Sequence, residues 1–155
     1  MAGERGEAWV IAQFCVFGAI ALAAILRLWP VRAIESWAAD AIGVALVAGG
    51  LALIGLAWRA LGPSFTPYPV PLPEASLTVK GPYRWVRHPI YGGLMLVAFG
   101  VGVLVADWLV LGLAAGLVIL LWAKATAEER YLAGRYGDYA TYAAQVRRRF
   151  VPLVV

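Results

Sequence analysis

Charge is scarce in this chain. Of 155 residues, 14% are charged and 63% are hydrophobic. A soluble domain of this length carries about 25% charged residues, so the composition is that of an integral membrane protein. There is one cysteine, Cys15, which excludes a disulfide framework. The single histidine, His88, lies far from it, so no zinc-ligand spacing exists and no metal is expected. The chain has neither a glycine-rich dinucleotide fingerprint nor a phosphate loop.

What is abundant is uninterrupted apolar sequence. Charges are absent from Ala8 to Leu26, Ala41 to Trp58, Pro89 to Ala106 and Trp108 to Ala123. Each gap approaches the length that crosses a hydrocarbon core of roughly 30 Å, the last only marginally. Trp9, Trp29, Trp37, Trp58, Trp108 and Trp122 fall near the ends of these gaps, where interfacial belts place tryptophan. The first gap is long and its leader Met1 to Glu7 is not basic, so it reads as a true span rather than a signal peptide. The expected fold is all-α: a single polytopic membrane domain over residues 1–155. Its four transmembrane helices are expected at about 8–28, 37–60, 89–106 and 108–124, with a C-terminal interfacial amphipathic helix at 126–146.

The formal charge of +4 takes meaning from position. With both termini cytoplasmic, only Arg27 and Arg32 lie outside, near the Val31–Glu35 connection, and Asp107 turns outside as well. The other eleven of the thirteen basic residues lie inside, which fits the positive-inside bias. Anionic headgroups and an anionic cofactor group explain these charges better than nucleic acid does.

The longest interior segment that does not span is the 61–88 loop. Pro63, Pro67, Pro69, Pro71 and Pro73 prevent a helix in its first half. Long connections of this kind are usually functional when they are not disordered. This one runs into Gly81-Pro82-Tyr83-Arg84-Trp85-Val86-Arg87-His88-Pro89-Ile90-Tyr91-Gly92-Gly93, which sets two arginines, the lone histidine and two tyrosines at the edge of a span. Ionisable groups there face protein or water rather than lipid. Pro89 suits the first turn of a helix, with His88 as its cap, and such helix ends bind anions. Tyr91 shares the His88 face, and Gly92 and Gly93 allow a helix or a ligand close to the backbone.

After the third and fourth spans, joined at Asp107, come Glu128 and Glu129. Lys124 lies one turn before Glu128 and reads as its ion-pair partner; Glu129 has no such partner along the helix. Gly112 and Gly116 read as a helix-packing face. Leu132, Tyr136, Tyr139, Ala143 and Val146 form one stripe of an interfacial helix, and Arg147, Arg148 and Arg149 read as a membrane-surface anchor.

Two patterns together carry a resemblance. Gly81-Pro82-Tyr83, then Arg87-His88-Pro89-x-Tyr91-x-Gly93, resembles the first motif of the isoprenylcysteine carboxyl methyltransferase family, itself similar to the small phospholipid N-methyltransferases. Glu128-Glu129-Arg130-Tyr131-Leu132, Tyr136-Gly137-Asp138-Tyr139-Ala140-Thr141-Tyr142, then Val146-Arg147 and Pro152, resembles its second. Tyr136 stands where phenylalanine is usual. The resemblance covers Leu77 to the C-terminus; the first two spans match only in being hydrophobic.

That resemblance implies an S-adenosylmethionine-dependent methyltransferase, releasing S-adenosylhomocysteine, with its site facing the cytoplasm. The implied cofactor-binding residues are Lys80, Gly81, Tyr83, Arg87, His88, Tyr91 and Glu129. Glu128, Glu129 and Arg87 are the implied catalytic residues. A carboxylate acceptor needs no base, whereas an amine or thiol loses a proton that Glu128 or Glu129 can accept. The expected partners are membrane lipids and a lipophilic or small methyl acceptor, which reaches the site from the bilayer past Gly92 and Gly93. No nucleic acid is expected as a partner. Two other readings are a sterol-reductase-like NADPH enzyme, with the tail arginines on the nucleotide phosphates, and a non-catalytic four-span interaction module. Competition between S-adenosylmethionine and NADPH separates the first two.

Overall fold

Helix ends are written plainly into this chain and its computed structural model, which describes residues 6–27 and 36–150. The Val31–Glu35 connection with Arg32, Trp29 and the motif residue Pro152 lie outside the described residues. Helix α1 is Glu7–Arg27, α2 is Trp37–Leu61, α3 is Pro89–Val105, α4 is Trp108–Arg135 and α5 is Tyr139–Gln145. Ser36 caps α2 by accepting from the Ala39 amide at 3.4 Å, and Asp40 and Arg59 complement the helix dipole at its two ends. Gly62, at φ +53°, ends α2 with Pro63 behind it. Pro89 opens α3. Asp107 caps α4, its Oδ1 accepting from the amides of Leu109 and Val110 at 2.9 and 3.1 Å.

Three of these helices, α1, α2 and α4, are long and apolar enough to cross a membrane. Helix α3 is apolar but has 17 residues. The sequence reading of the last segments needs correction. A 108–124 span followed by a separate interfacial helix at 126–146 is not what forms. Helix α4 runs unbroken for 28 residues through Glu128 and Glu129 to Arg135. The chain then turns at Tyr136–Asp138, where glycine and aspartate favour a turn over a helix, and α5 has only seven residues. The stripe of Leu132, Tyr136, Tyr139, Ala143 and Val146 does not face lipid as an interfacial helix would. It packs with Tyr142 and Leu77 into a small core of its own.

Helix α2 packs on α3, α3 on α4, and α1 on α4 and α3; α1 and α2 make no comparable contact. The α2–α3 seam is made by glycines. A Cβ built at Gly93 would lie 2.7 Å from the Gly50 carbonyl oxygen, and one at Gly100 would lie 2.9 Å from that of Gly43. Backbones this close leave no room for any side chain. Gly112 and Gly116, by contrast, have nothing within 4 Å. The helix-packing role falls to Gly43, Gly50, Gly93 and Gly100. A second core of Ile20, Met95, Val110, Leu117, Leu121 and Phe150 joins α1, α3 and α4 to the tail.

Three donors from α4 and its end hold the proline-rich loop. Lys124 donates to the Pro67 carbonyl, Arg135 to that of Pro73 and the Tyr136 hydroxyl to that of Ala75. A segment of prolines cannot satisfy its own carbonyls with amides, so side chains from outside do it.

Candidate functional site

The N-terminal half of α1, the C-terminal end of α2, the start of α3 and the C-terminal half of α4 meet at one end of the bundle. There they enclose a cavity of about 320 Å³ beneath the proline-rich loop. Its wall includes Tyr83, Arg87, His88, Tyr91 and Glu128, five of the residues singled out from the sequence. Glu129, Lys80 and Gly81 are not part of that wall. Lys80 borders a separate recess with Glu74 and Val79. Gly81 has φ +59°, and it turns the loop into the short 3₁₀ helix Gly81–Arg84.

Glu129 stands behind the wall and organises it. Its Oε1 accepts from Arg87 Nε at 2.9 Å and faces His88 Nε2 at 3.1 Å; its Oε2 accepts from Arg149 Nη2 at 2.7 Å. A carboxylate only accepts, so His88 presents an N–H to it through Nε2. The sequence leaves Glu129 without a partner along its own helix. The fold gives it three from elsewhere. Arg87 also donates to the carbonyls of Val146 and Arg147 at 2.8 and 3.0 Å. Its Nε and Nη1 are thus engaged by protein groups, while the residue still lines the cavity.

The start of α3 is likewise covered. The Arg87 and His88 amides donate to the carbonyls of Arg148 and Arg149 at 3.0 and 2.7 Å. The His88 side chain makes no capping hydrogen bond; its ring turns to the glutamates. Any Cβ at Gly92 would collide with the Phe150 carbonyl. Gly92 and Gly93 therefore seat the tail and α2, which corrects the expectation that an acceptor passes them.

Glu128 faces the cavity. Its Oε2 accepts from the Tyr91 hydroxyl at 2.7 Å and lies 3.8 Å from His88 Nδ1. The His88 and Tyr91 rings stack, 5.3 Å apart and 2° from parallel. Lys124 does not pair with Glu128. It donates to Gln13 Oε1 at 2.7 Å and to Pro67.

Three tyrosines complete the wall. Burial, with the charge of Glu128 and then Tyr142 next in effect, holds the Tyr83 hydroxyl well above its usual pKa. Burial first, with Glu129 adding and Arg87 opposing, pushes Tyr142 up to about 12, and its hydroxyl donates to the Tyr83 carbonyl at 2.8 Å. Burial likewise raises Tyr139. The Tyr139 hydroxyl is buried and, among the described residues, has no hydrogen-bond partner.

Sequence reasoning missed Gln13, Lys124 and Arg149 as parts of this assembly. Gln13 had a signal, being the one amide side chain in the first apolar gap. Arg149 had none to set it apart from Arg147 and Arg148. Of the three, it is the one whose side chain bonds Glu129 and Thr126 and covers the Trp122 ring at 4.8 Å.

Among the described residues the fold is an all-helical bundle of apolar helices with a polar-edged cavity at one end, the architecture of an integral membrane protein. The family model for phospholipid methyltransferases matches residues 38–139, about two thirds of the chain, and the chain belongs to that methyltransferase family. No curated protein matches the chain. The matched region spans α2, the proline-rich loop, α3 and α4, so it contains Arg87, His88, Tyr91, Glu128 and Glu129.

Proposed function

We propose that this protein transfers a methyl group from S-adenosylmethionine to a lipophilic acceptor bearing a carboxylate, amine or thiol. The reaction is placed in the cavity under the proline-rich loop, at the cytoplasmic edge of a four-span bundle. The observation that carries this reading is the Glu128 carboxylate, presented to a mostly apolar cavity beside six tyrosines and the histidine. The volume suits a small ligand, whose sites run from about 300 to 1,000 Å³. The unpartnered Tyr139 hydroxyl fits the same reading, because buried polar groups normally have a partner and a ligand group supplies one here.

When bound, S-adenosylmethionine supplies a methyl group on a cationic sulfur. The chain's own residues do the rest. Glu128 attracts a cation, and the ring faces of Tyr83 and Tyr139 favour one too. Tyr83 stays protonated through the physiological range and offers a donor. Arg87, His88, Arg149 and Glu129 act as positioning residues. They lock the start of α3 to α4 and so fix Tyr91 against Glu128. Orientation of this kind contributes up to about 7–11 kcal/mol to a two-substrate reaction. Lys80 and Gly81 shape the loop rather than touch the ligand.

The acceptor route runs between α1 and α2. Phe14 and Trp58 belong to the cavity wall yet are 61% and 56% exposed, so the cavity reaches the lipid-facing surface there. Helix α3 provides the fourth crossing; its 17 residues extend about 26 Å at about 1.5 Å each, close to the hydrocarbon thickness. The eleven-to-two split of basic residues supports a cytoplasmic orientation of the cavity end.

The test is methyl transfer from radiolabelled cofactor to purified protein supplied with a total lipid extract, small thiols and small carboxylates. Label in an acceptor, blocked by S-adenosylhomocysteine and not by NADPH, supports the reading. Protein that binds NADPH and no S-adenosylmethionine overturns it.

A further inference from the structure

Lys124 is 1% exposed and is the largest fully buried side chain among the described residues. Its ammonium donates to Gln13 Oε1 and to the Pro67 carbonyl, and it lies 5.3 Å from the centre of the Tyr91 ring. Every one of these partners is neutral. Among the described residues, no carboxylate lies within ion-pair distance of it. Burying an ammonium is costly, and neutral hydrogen bonds offset only part of that cost. An ammonium has three donors, and protein atoms take two of them. Lys124 belongs to the cavity wall, and so does Glu128.

The two sit one helical turn apart on α4, the spacing at which a lysine and a glutamate usually pair. Here they are held apart: Gln13 and the loop draw Lys124 one way, and Tyr91 draws Glu128 the other. One face of α4 thus offers the cavity a separated cation and anion.

We infer that Lys124 and Glu128 together bind the α-amino-acid end of the methyl donor, Lys124 taking its carboxylate and Glu128 its ammonium. This rests on the methyltransferase reading and adds a residue to it. A phosphoethanolamine headgroup carries the same two charges and is the competing zwitterion. Its phosphate is a diester with substituents on both sides, whereas Lys124 is closed over by Gln13 and Pro67. A terminal carboxylate needs less clearance beside these two partners than a diester does. Gln13 is then a positioning residue, by which α1 helps to aim the ammonium.

The experiment is calorimetry on the full chain in nanodiscs with three ligands. S-adenosylhomocysteine carries the carboxylate and the ammonium, S-adenosyl-3-thiopropylamine lacks the carboxylate, and methylthioadenosine lacks both. Wild-type protein is expected to bind S-adenosylhomocysteine at least tenfold tighter than the thiopropylamine. In Lys124→Met the two should bind alike, with methylthioadenosine unchanged. Lys124→Gln, which keeps a donor for Pro67 and removes the charge, gives the same comparison if the methionine variant does not fold. Equal wild-type affinities for the first two ligands, or a difference that persists in the variants, overturn the assignment and leave the methyltransferase reading standing. So does a variant that loses affinity for phosphatidylethanolamine alone. A wild-type protein that binds none of the three overturns both.

Discussion

Arg149 Nη2 lies 2.7 Å from Glu129 Oε2, closing the tail of the chain back onto α4. The same glutamate holds Arg87 and His88 on its other oxygen. Three elements are thereby fastened at one carboxylate: the start of α3, the body of α4 and the tail. Both partners are mostly shielded, at 20% and 16% exposure of their side chains, so solvent weakens the pair less than it would a surface bridge.

Arg149→Ala should therefore destabilise the fold by about 1–3 kcal/mol, the range for losing a partly buried charged hydrogen bond while other partners remain. Thermal unfolding in detergent measures it. Arg147→Ala and Arg148→Ala, whose side chains are exposed, should leave Tm nearly unchanged; equal losses for all three would mean the tail acts only as a surface anchor.

The two adjacent glutamates should separate experimentally. Glu128→Gln is expected to weaken S-adenosylhomocysteine binding tenfold or more, about 1.4 kcal/mol, with little change in Tm. Glu129→Gln is expected to lower Tm, because Arg87, His88 and Arg149 lose their common counter-charge. Calorimetry and unfolding on both variants decide it, and a reversed pattern would exchange their roles.

Glycines give a sharper contrast. Gly93→Ala and Gly50→Ala should each destabilise by roughly 1–3 kcal/mol or more, since the new methyl meets backbone of the facing helix. Gly112→Ala and Gly116→Ala meet nothing within 4 Å, and a helical glycine replaced by alanine gains about 0.5–1 kcal/mol. Thermal unfolding of the four variants that shows no difference in sign would contradict the α2–α3 seam.

Tyr142 is held up to about 12, above its ordinary 10.0, so the folded state favours its neutral form. Its stabilising contribution is complete below pH 10 and is lost as pH rises from about 10 toward 12. Tyrosinate absorbance should then show a group titrating near 12 in the folded protein and near 10 after denaturation. Tyr142→Phe should remove the group titrating near 12, at the cost of the bond to the Tyr83 carbonyl.

Asp107 caps α4 at the hairpin opposite the cavity. In the four-span arrangement a cysteine at this position should react with an impermeant reagent from outside only. Reaction from the cytoplasmic side alone would invert the proposed orientation.

Much of the assembly is legible in the sequence. Arg87, His88, Tyr91, Glu128 and Glu129 stand out as ionisable or hydrogen-bonding groups at the ends of apolar segments, and they do converge. Their division of labour was not legible. Glu129 reads as unpaired along its own helix, yet its partners lie 42, 41 and 20 residues away in sequence. Lys124 reads as a local partner of Glu128 because helix spacing favours it, but Gln13, 111 residues distant, takes it instead. The stripe after Arg135 looks interfacial by period alone; only the loop packed against it shows that it faces inward.

The sequence by itself determined the first three helices, because hydrophobic run length, caps and prolines act through neighbours a few residues apart. It also marked the segment whose side chains line the cavity, because charge next to an apolar span is costly unless it is partnered. Only the tertiary structure decided which carboxylate faces the cavity, which glycines seat a helix, and where the bundle is left open. Those outcomes depend on how helices rotate about their axes and pack at contact distance. Rotation is set jointly by all the partners of a helix, and a pattern along one chain segment does not encode it.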